Sequence, residues 1–335
     1  MSPPLFETPR SARPPRGTRP MKIVIPDDYQ DCVRTLEAFA RLEGHEVTVF
    51  NDTVTDLDTL SARFRDAEAL VLIRERTPIT AELLARLPNL RVISQTGGGA
   101  AHVDLAACRE RGVTVLAGTG SPHAAAELTW GLVLAAMRHI PEEAANLKAG
   151  RWQRTLGTGL KGRTLGIFGY GRIGQLMARY ARAFEMEVLV WGREGTRPRA
   201  IEAGLEVAAS QAALFERSDV LSLHLRLNDE TRGIVTAEDL ARMKPSALLV
   251  NTARAPLIAP GALEAALCQG RPGMAAADVF DDEPVIDHPL LEMPNFLGLP
   301  HLGYVEKDSY ELYFGDAFDN LQAFAAGRPV KNLAE

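Results

Sequence analysis

From Met21 onward the chain repeats one pattern. A short run of β-branched and aliphatic residues is followed by a stretch with apolar residues three and four apart. A first series of strand-like runs covers 22–25, 47–50, 70–73, 92–94 and 113–116. A second covers 165–168, 188–191, 220–225, 247–250, 275–279 and 296–299. Between the first two runs, 32–42 reads as a helix with Val33, Leu36, Phe39 and Ala40 on one face and Gly44 as its stop. Strands that alternate with helices are joined by crossovers, which places them in parallel sheets covered on both faces. The expectation is an α/β protein built from two such units, and 335 residues suffice for two domains of ordinary size.

Composition narrows the partners. The net charge of −6 and the lack of a dense Lys/Arg stripe argue against nucleic acid. No uncharged apolar run reaches the length of a membrane span, and Cys32, Cys108 and Cys268 are too few and too scattered for a disulfide framework or a CxxC site. A cytoplasmic location follows as the expectation. No His/Asp/Glu spacing suggests a metal. Residues 1–20 hold six of the 21 prolines and four arginines with almost nothing apolar, so they read as a disordered extension.

Chemistry enters at Gly169-Tyr170-Gly171-Arg172-Ile173-Gly174, which follows a strand-like run and opens a helix reaching about Phe184. In that setting the glycines have separate tasks. Gly169 makes the tight turn, Gly171 admits a pyrophosphate to the backbone, and Gly174 lets helix and strand pack closely. The helix N-terminus offers N–H groups and the positive end of its dipole. The expectation is a dinucleotide site on a Rossmann-like unit. The carboxylate that would hold the adenosine ribose hydroxyls is missing, because the next strand ends at Gly192. Gly192 is followed by Arg193, with Arg197 and Arg199 close behind, a set that suits a 2′-phosphate. The reading therefore favours NADP(H) over NAD(H).

Three ionisable residues stand where apolar runs end: Arg254 in NTARAPLI, Glu283 in DVFDDEP and His301 in LPHLGY. Together with the fingerprint, with GGGAAHVD at 97–104, SDVLSLHLRLNDETRGIV at 218–235 and MKPSALLVNTAR at 243–254, they make the chain resemble the D-2-hydroxyacid dehydrogenase family from Met21 to the C-terminus. The resemblance implies hydride transfer between NAD(P)H and a small 2-oxo or D-2-hydroxy acid, of the glyoxylate or hydroxypyruvate kind. It makes His301 the acid/base, Glu283 its carboxylate partner and Arg254 the clamp on substrate carboxylate and carbonyl. It also places backbone N–H groups at Gly98 and Gly99 on the carboxylate, Asp278 near the nicotinamide, and Thr252 among the cofactor-binding residues. Two Rossmann-like or flavodoxin-like domains are implied, a substrate domain of 21–120 plus 302–335 and a dinucleotide domain of 121–301, with the active site in the cleft between them.

Departures from the family pattern fall at Ala101, Arg226, Ala255 and Leu299, and none removes a catalytic group. A nicotinamide-sensing corepressor of the same fold is the alternative, and only turnover separates the two. His102, His123 and His224 are left without assigned chemistry. The segment 124–137 has only Glu127 and Thr129 as clearly polar residues, so its helix needs cover on more than one side. Burial between domains and a homodimer contact are the two readings, and a homodimer is the expectation. Leu312, Phe314, Phe318, Leu321 and Phe324 predict a long final helix packed on the first domain.

Overall fold

Runs such as ALVL at 69–72 and LLVN at 248–251 are buried along their whole length, as strands covered on both faces must be. The computed structural model describes residues 19–334. Of the extension expected at 1–20, all but Arg19 and Pro20 lies outside the described residues. The chain divides into two units: one runs to Ser121 and resumes at Glu306, the other is Pro122–Val305.

The first unit holds strands β1 (Lys22–Ile25), β2 (Glu46–Val49), β3 (Ala69–Leu72), β4 (Val92–Gln95) and β5 (Thr114–Ala117), all parallel, in the order β2-β1-β3-β4-β5. This is the flavodoxin-like order. One core, around Phe64, Leu70, Leu72, Ile79, Leu83 and Ile93, fills the space between this sheet and its helices. The helix Lys307–Ala325 returns to the unit, where Ser94 Oγ donates to the carbonyl of Ala317 at 2.8 Å. Its buried face carries Tyr310, Tyr313, Phe314, Phe318 and Leu321, whereas Leu312 is exposed, contrary to the sequence reading.

The helix expected over 32–42 is instead two 3₁₀ turns, Val33–Thr35 and Glu37–Leu42, separated by an extended Leu36. Side chains from elsewhere in the unit explain the break. The Asp28 carboxylate accepts from the N–H groups of Cys32 and Val33, at 3.1 and 3.0 Å. The Glu311 carboxylate, from the final helix, accepts from Glu37 and Ala38, at 2.7 and 3.0 Å. Each turn thus has its own cap, which satisfies N–H groups that the start of a helical turn leaves open.

The second unit holds β6 (Thr164–Phe168), β7 (Glu187–Trp191), β8 (Glu206–Val207), β9 (Val220–Leu223), β10 (Leu248–Asn251), β11 (Met274–Ala277) and β12 (Phe296–Gly298). All are parallel, in the order β12-β11-β10-β9-β6-β7-β8, the Rossmann order with one further strand. The two-residue edge strand β8 has no counterpart in the sequence reading. Separate cores cover the two faces of this sheet, one around Ile167, Met177, Val190 and Val250, the other around Phe168, Phe215, Leu221 and Leu249.

The helix His123–Met137 buries Ala124, Ala126, Thr129, Trp130, Leu132, Val133, Ala136 and Met137. Trp130, Val133, Ala136 and Met137 join the first of these cores, so much of the helix's apolar surface is covered within its own unit. Exposed apolar side chains appear just beyond it instead, at Ile140, Leu147, Trp152 and Leu156, the last two 73% and 92% accessible.

Candidate active site and dinucleotide crevice

At the carboxyl end of β6 the glycine turn has the backbone its residues dictate. Gly169 has φ +100°, a region that strongly favours glycine, and a Cβ there would lie 2.6 Å from the carbonyl oxygen of His224. A Cβ on Gly174 would lie 2.5 Å from the carbonyl oxygen of Gly169, so only glycine lets the helix Arg172–Ala183 sit this close to the turn. Gly171, which caps that helix, faces open space with nothing within 4 Å of a Cβ position. A backbone left bare toward open space at a helix N-terminus fits a diphosphate. Arg172 is exposed on the first turn, and Ile173 packs against the core. The neighbouring strand order β7-β6-β9 is the topological switch point, where ligands of such sheets bind.

Beneath this turn lies a histidine with a role the sequence reading did not give it. His224 follows β9, donates its N–H to Phe168 O at 2.8 Å, and places Nε2 2.8 Å from Ser222 Oγ. Burial pushes its imidazole down to about 4, so it is neutral at physiological pH. Serine two residues before histidine on a buried strand is the one signal that pointed to the pair.

Gly192 directly follows β7, and a Cβ there would meet Thr196 Oγ1 at 2.8 Å. A side chain at this position would have to displace Thr196, so the absence of a carboxylate has a packing side as well as an electrostatic one. The arginines that follow have different partners. Arg197 stacks over Trp191 at 4.3 Å, and Arg199 Nε donates to Gly195 O at 3.0 Å. Arg193 Nη1 lies 3.3 Å from Glu230 Oε2, in a pair with side chains 55% and 76% accessible.

The three charged residues follow three adjacent strands. Arg254 comes after β10, in a turn tied by the Asn251 side chain, which donates to Arg254 O at 3.0 Å and accepts from Ala253 N at 3.1 Å. Arg254 Nη1 donates to Ala253 O at 2.7 Å. Thr252 Oγ1 pairs with Thr129 Oγ1 at 2.7 Å. His301, after β12, adopts φ +53° and places Nδ1 2.6 Å from Glu283 Oε2, while Glu283 Oε1 accepts from Phe280 N at 2.9 Å. The ring also meets Tyr304 edge-on at 5.4 Å. Burial raises the Glu283 carboxyl, but the hydrogen bond and charge of His301, the Phe280 N–H and the charge of Arg254 outweigh it and hold the group below its ordinary value. It is a carboxylate wherever the histidine works.

Asp278, fully buried after β11, spends both oxygens on the turn that carries His301. Leu302 N and Gly303 N donate to them, each at 2.7 Å. Burial raises its pKa to about 6, against those two bonds and the His301 charge. What the structure gives Asp278 is thus the fixing of the histidine loop. In the first unit, after β4, Gly97 has φ +100° and leaves room for the Arg74 guanidinium, while Gly99 leaves room for Glu75. Among the described residues no backbone hydrogen bond engages the N–H of Gly98 or Gly99.

Comparison with known proteins bears on these groups together. Residues 130–303 match the family described as D-isomer specific 2-hydroxyacid dehydrogenase, NAD binding domain. Over 287 residues the chain is 38% identical to the D-3-phosphoglycerate dehydrogenase of Methanocaldococcus jannaschii, covering 84% of this chain and 53% of that protein. It thus spans about half the length of such relatives. With the glyoxylate reductase of Aeropyrum pernix it shares 37% identity over 291 residues, 82% of this chain and 85% of that one. The solved phosphoglycerate oxidoreductase of Vibrio cholerae O395 superposes with a TM-score of 0.89 at 55% identity, over 92% of this chain and 99% of that one. With its glycine turn and its Arg254, Glu283 and His301 at the strand ends, the chain belongs to the D-isomer-specific 2-hydroxyacid dehydrogenase family, and its second unit carries that family's NAD-binding domain.

Proposed function

We propose that the protein reduces small 2-oxo acids of the glyoxylate or hydroxypyruvate kind to D-2-hydroxy acids, using NADPH in preference to NADH. The observation that carries the reading is the 2.6 Å contact between His301 Nδ1 and Glu283, at the carboxyl edge of the sheet that also bears the glycine turn. A bound reduced nicotinamide supplies the hydride. The chain's residues do the rest. Glu283 holds Nδ1, which leaves Nε2 to deliver the proton to the carbonyl oxygen. Arg254 offers a planar fork to carboxylate and carbonyl. The first unit takes the substrate-binding role, with backbone N–H groups at Gly98 and Gly99 for a carboxylate, and the second takes the dinucleotide. Gly169, Gly171, Arg172, Ile173 and Gly174 receive the diphosphate, with Thr252 and Asp278 toward the nicotinamide. The NADP preference rests on Gly192 and on Arg193, whose exposed ion pair holds it weakly.

A panel of 2-oxo acids assayed with each reduced cofactor tests this. Turnover with glyoxylate or hydroxypyruvate, higher in kcat/KM with NADPH, is expected; tight cofactor binding without turnover overturns it. Alongside this we propose a homodimer, supported by the exposed Trp152 and Leu156 beyond the helix His123–Met137. A monomer by light scattering at micromolar concentration overturns that part.

A further inference from the structure

The salt bridge between Arg193 and Glu230 joins two loops that flank the glycine turn on either side. Arg193 follows β7 and Glu230 lies in the loop after β9, while β6, which carries Gly169, runs between those strands. Neighbouring strands lie about 4.8 Å apart, so the two loops start about 10 Å from each other, and the 3.3 Å contact closes that gap. Glu230 is presented by a firmly tied loop. Thr231, buried, donates to Arg226 O at 2.7 Å and accepts from Asn228 N at 2.9 Å, and Asn228 Oδ1 in turn accepts from Thr231 N at 3.1 Å. The Arg193 side chain is a long stem on a loop whose other arginines are engaged locally.

We propose that Glu230 is a specificity-determining residue that competes with the 2′-phosphate of NADP(H) for the Arg193 guanidinium. The inference rests on the reading above that Arg193 receives that phosphate. NADH has no dianion to offer there, so Glu230 keeps Arg193 when NADH binds and gives it up when NADPH binds. The competitor lowers NADPH affinity and leaves NADH untouched, which narrows the gap between the two cofactors.

Binding, rather than turnover, reads this directly. Dissociation constants for NADPH and NADH are measured by nicotinamide fluorescence for the wild type, Glu230→Gln, Arg193→Ala and the double variant. An exposed pair contributes up to about 1 kcal/mol, so Glu230→Gln is expected to tighten NADPH by about 2- to 5-fold with NADH unchanged. The gain is expected to vanish when Arg193 is already Ala. If Arg193→Ala weakens NADPH while Glu230→Gln changes nothing, the competition is refuted and the cofactor reading stands. A gain that persists without Arg193 also refutes it, since that would be a general field effect. If Arg193→Ala leaves NADPH affinity unchanged, the cofactor reading fails and the competition with it.

Discussion

Glu283→Gln keeps the shape of the carboxylate and removes its charge, so it isolates what that charge contributes through His301. The contact is short, 2.6 Å, and hydrogen bonds to charged groups contribute about 1.5–3 kcal/mol. The two side chains retain 29% and 32% of their accessible surface, so solvent screens part of the effect and the lower part of that range applies. This corresponds to a loss of about 10- to 30-fold in kcat/KM for the 2-oxo acid. His301→Ala alone is expected to lose about 10²–10⁴-fold, the usual contribution of a positioned proton donor. The informative variant carries both changes. With no imidazole to hold, Glu283→Gln has little left to remove, and the double variant is expected within about 3-fold of His301→Ala. The assay is nicotinamide absorbance at saturating cofactor, with circular dichroism confirming that each variant folds. Losses that multiply in the double variant would mean that Glu283 acts independently of His301, and the argument would fail.

Three further outcomes follow from the same geometry. Burial pushes the thiol of Cys32 up to about 12, aided by Asp28, and that of Cys108 to about 11, so under native conditions at pH 8 a thiol reagent should modify only the exposed Cys268 quickly; two or three fast thiols would contradict this. His224, held near 4 when folded, takes up a proton in the unfolded chain as pH falls through about 6.5, so its contribution is intact above 6.5 and lost as pH falls from there to about 4. The ceiling is about 3 kcal/mol, and because the residue keeps some accessible surface about half of that is expected. Urea midpoints at pH 7 and 5 should therefore separate less in His224→Gln than in the wild type, and an equal separation would refute the point. Gly192→Asp alone should weaken both cofactors, because its Cβ strikes Thr196, while Gly192→Asp combined with Thr196→Ala should favour NADH; a single variant that switches preference cleanly would show the packing to be yielding.

Most of the fold was legible because it is written in contiguous runs. β-branched and aliphatic strands between helical stretches declare a parallel sheet, and a glycine fingerprint between strand and helix declares its own turn. What escaped was set by residues distant in sequence. Nothing near 32–42 announces that Glu311 caps a turn at Glu37, so periodicity alone read one helix where there are two short 3₁₀ pieces. Leu312 reads as buried because it is apolar, whereas Tyr310 and Tyr313 occupy that face with their hydroxyls reaching Gln30 and Ser121 O. Two residues of β8 are too few to show any period. At the site, the order Arg254, Glu283, His301 was visible, but that Asp278 ties the histidine turn depends on bonds made 24 and 25 residues away. The pairing of Arg193 with Glu230 spans 37 residues and two strands.

The return of the helix Lys307–Ala325 to the first unit has a consequence for the order of events during synthesis. Residues up to Ser121 leave the ribosome first, yet their sheet lacks the helix that gives Ser94 its acceptor and Glu37 its cap until the last stretch has been made. The second unit, contiguous from Pro122 to Val305, is complete earlier and can fold while the first still waits. Joining the two pieces of the first unit across an unfolded insert of about 180 residues would cost about 4–5 kcal/mol in loop entropy, and a folded insert removes much of that by holding its own ends in place. The segment born first is thus the one finished last, and its waiting strands are the part of the nascent chain most open to mispairing.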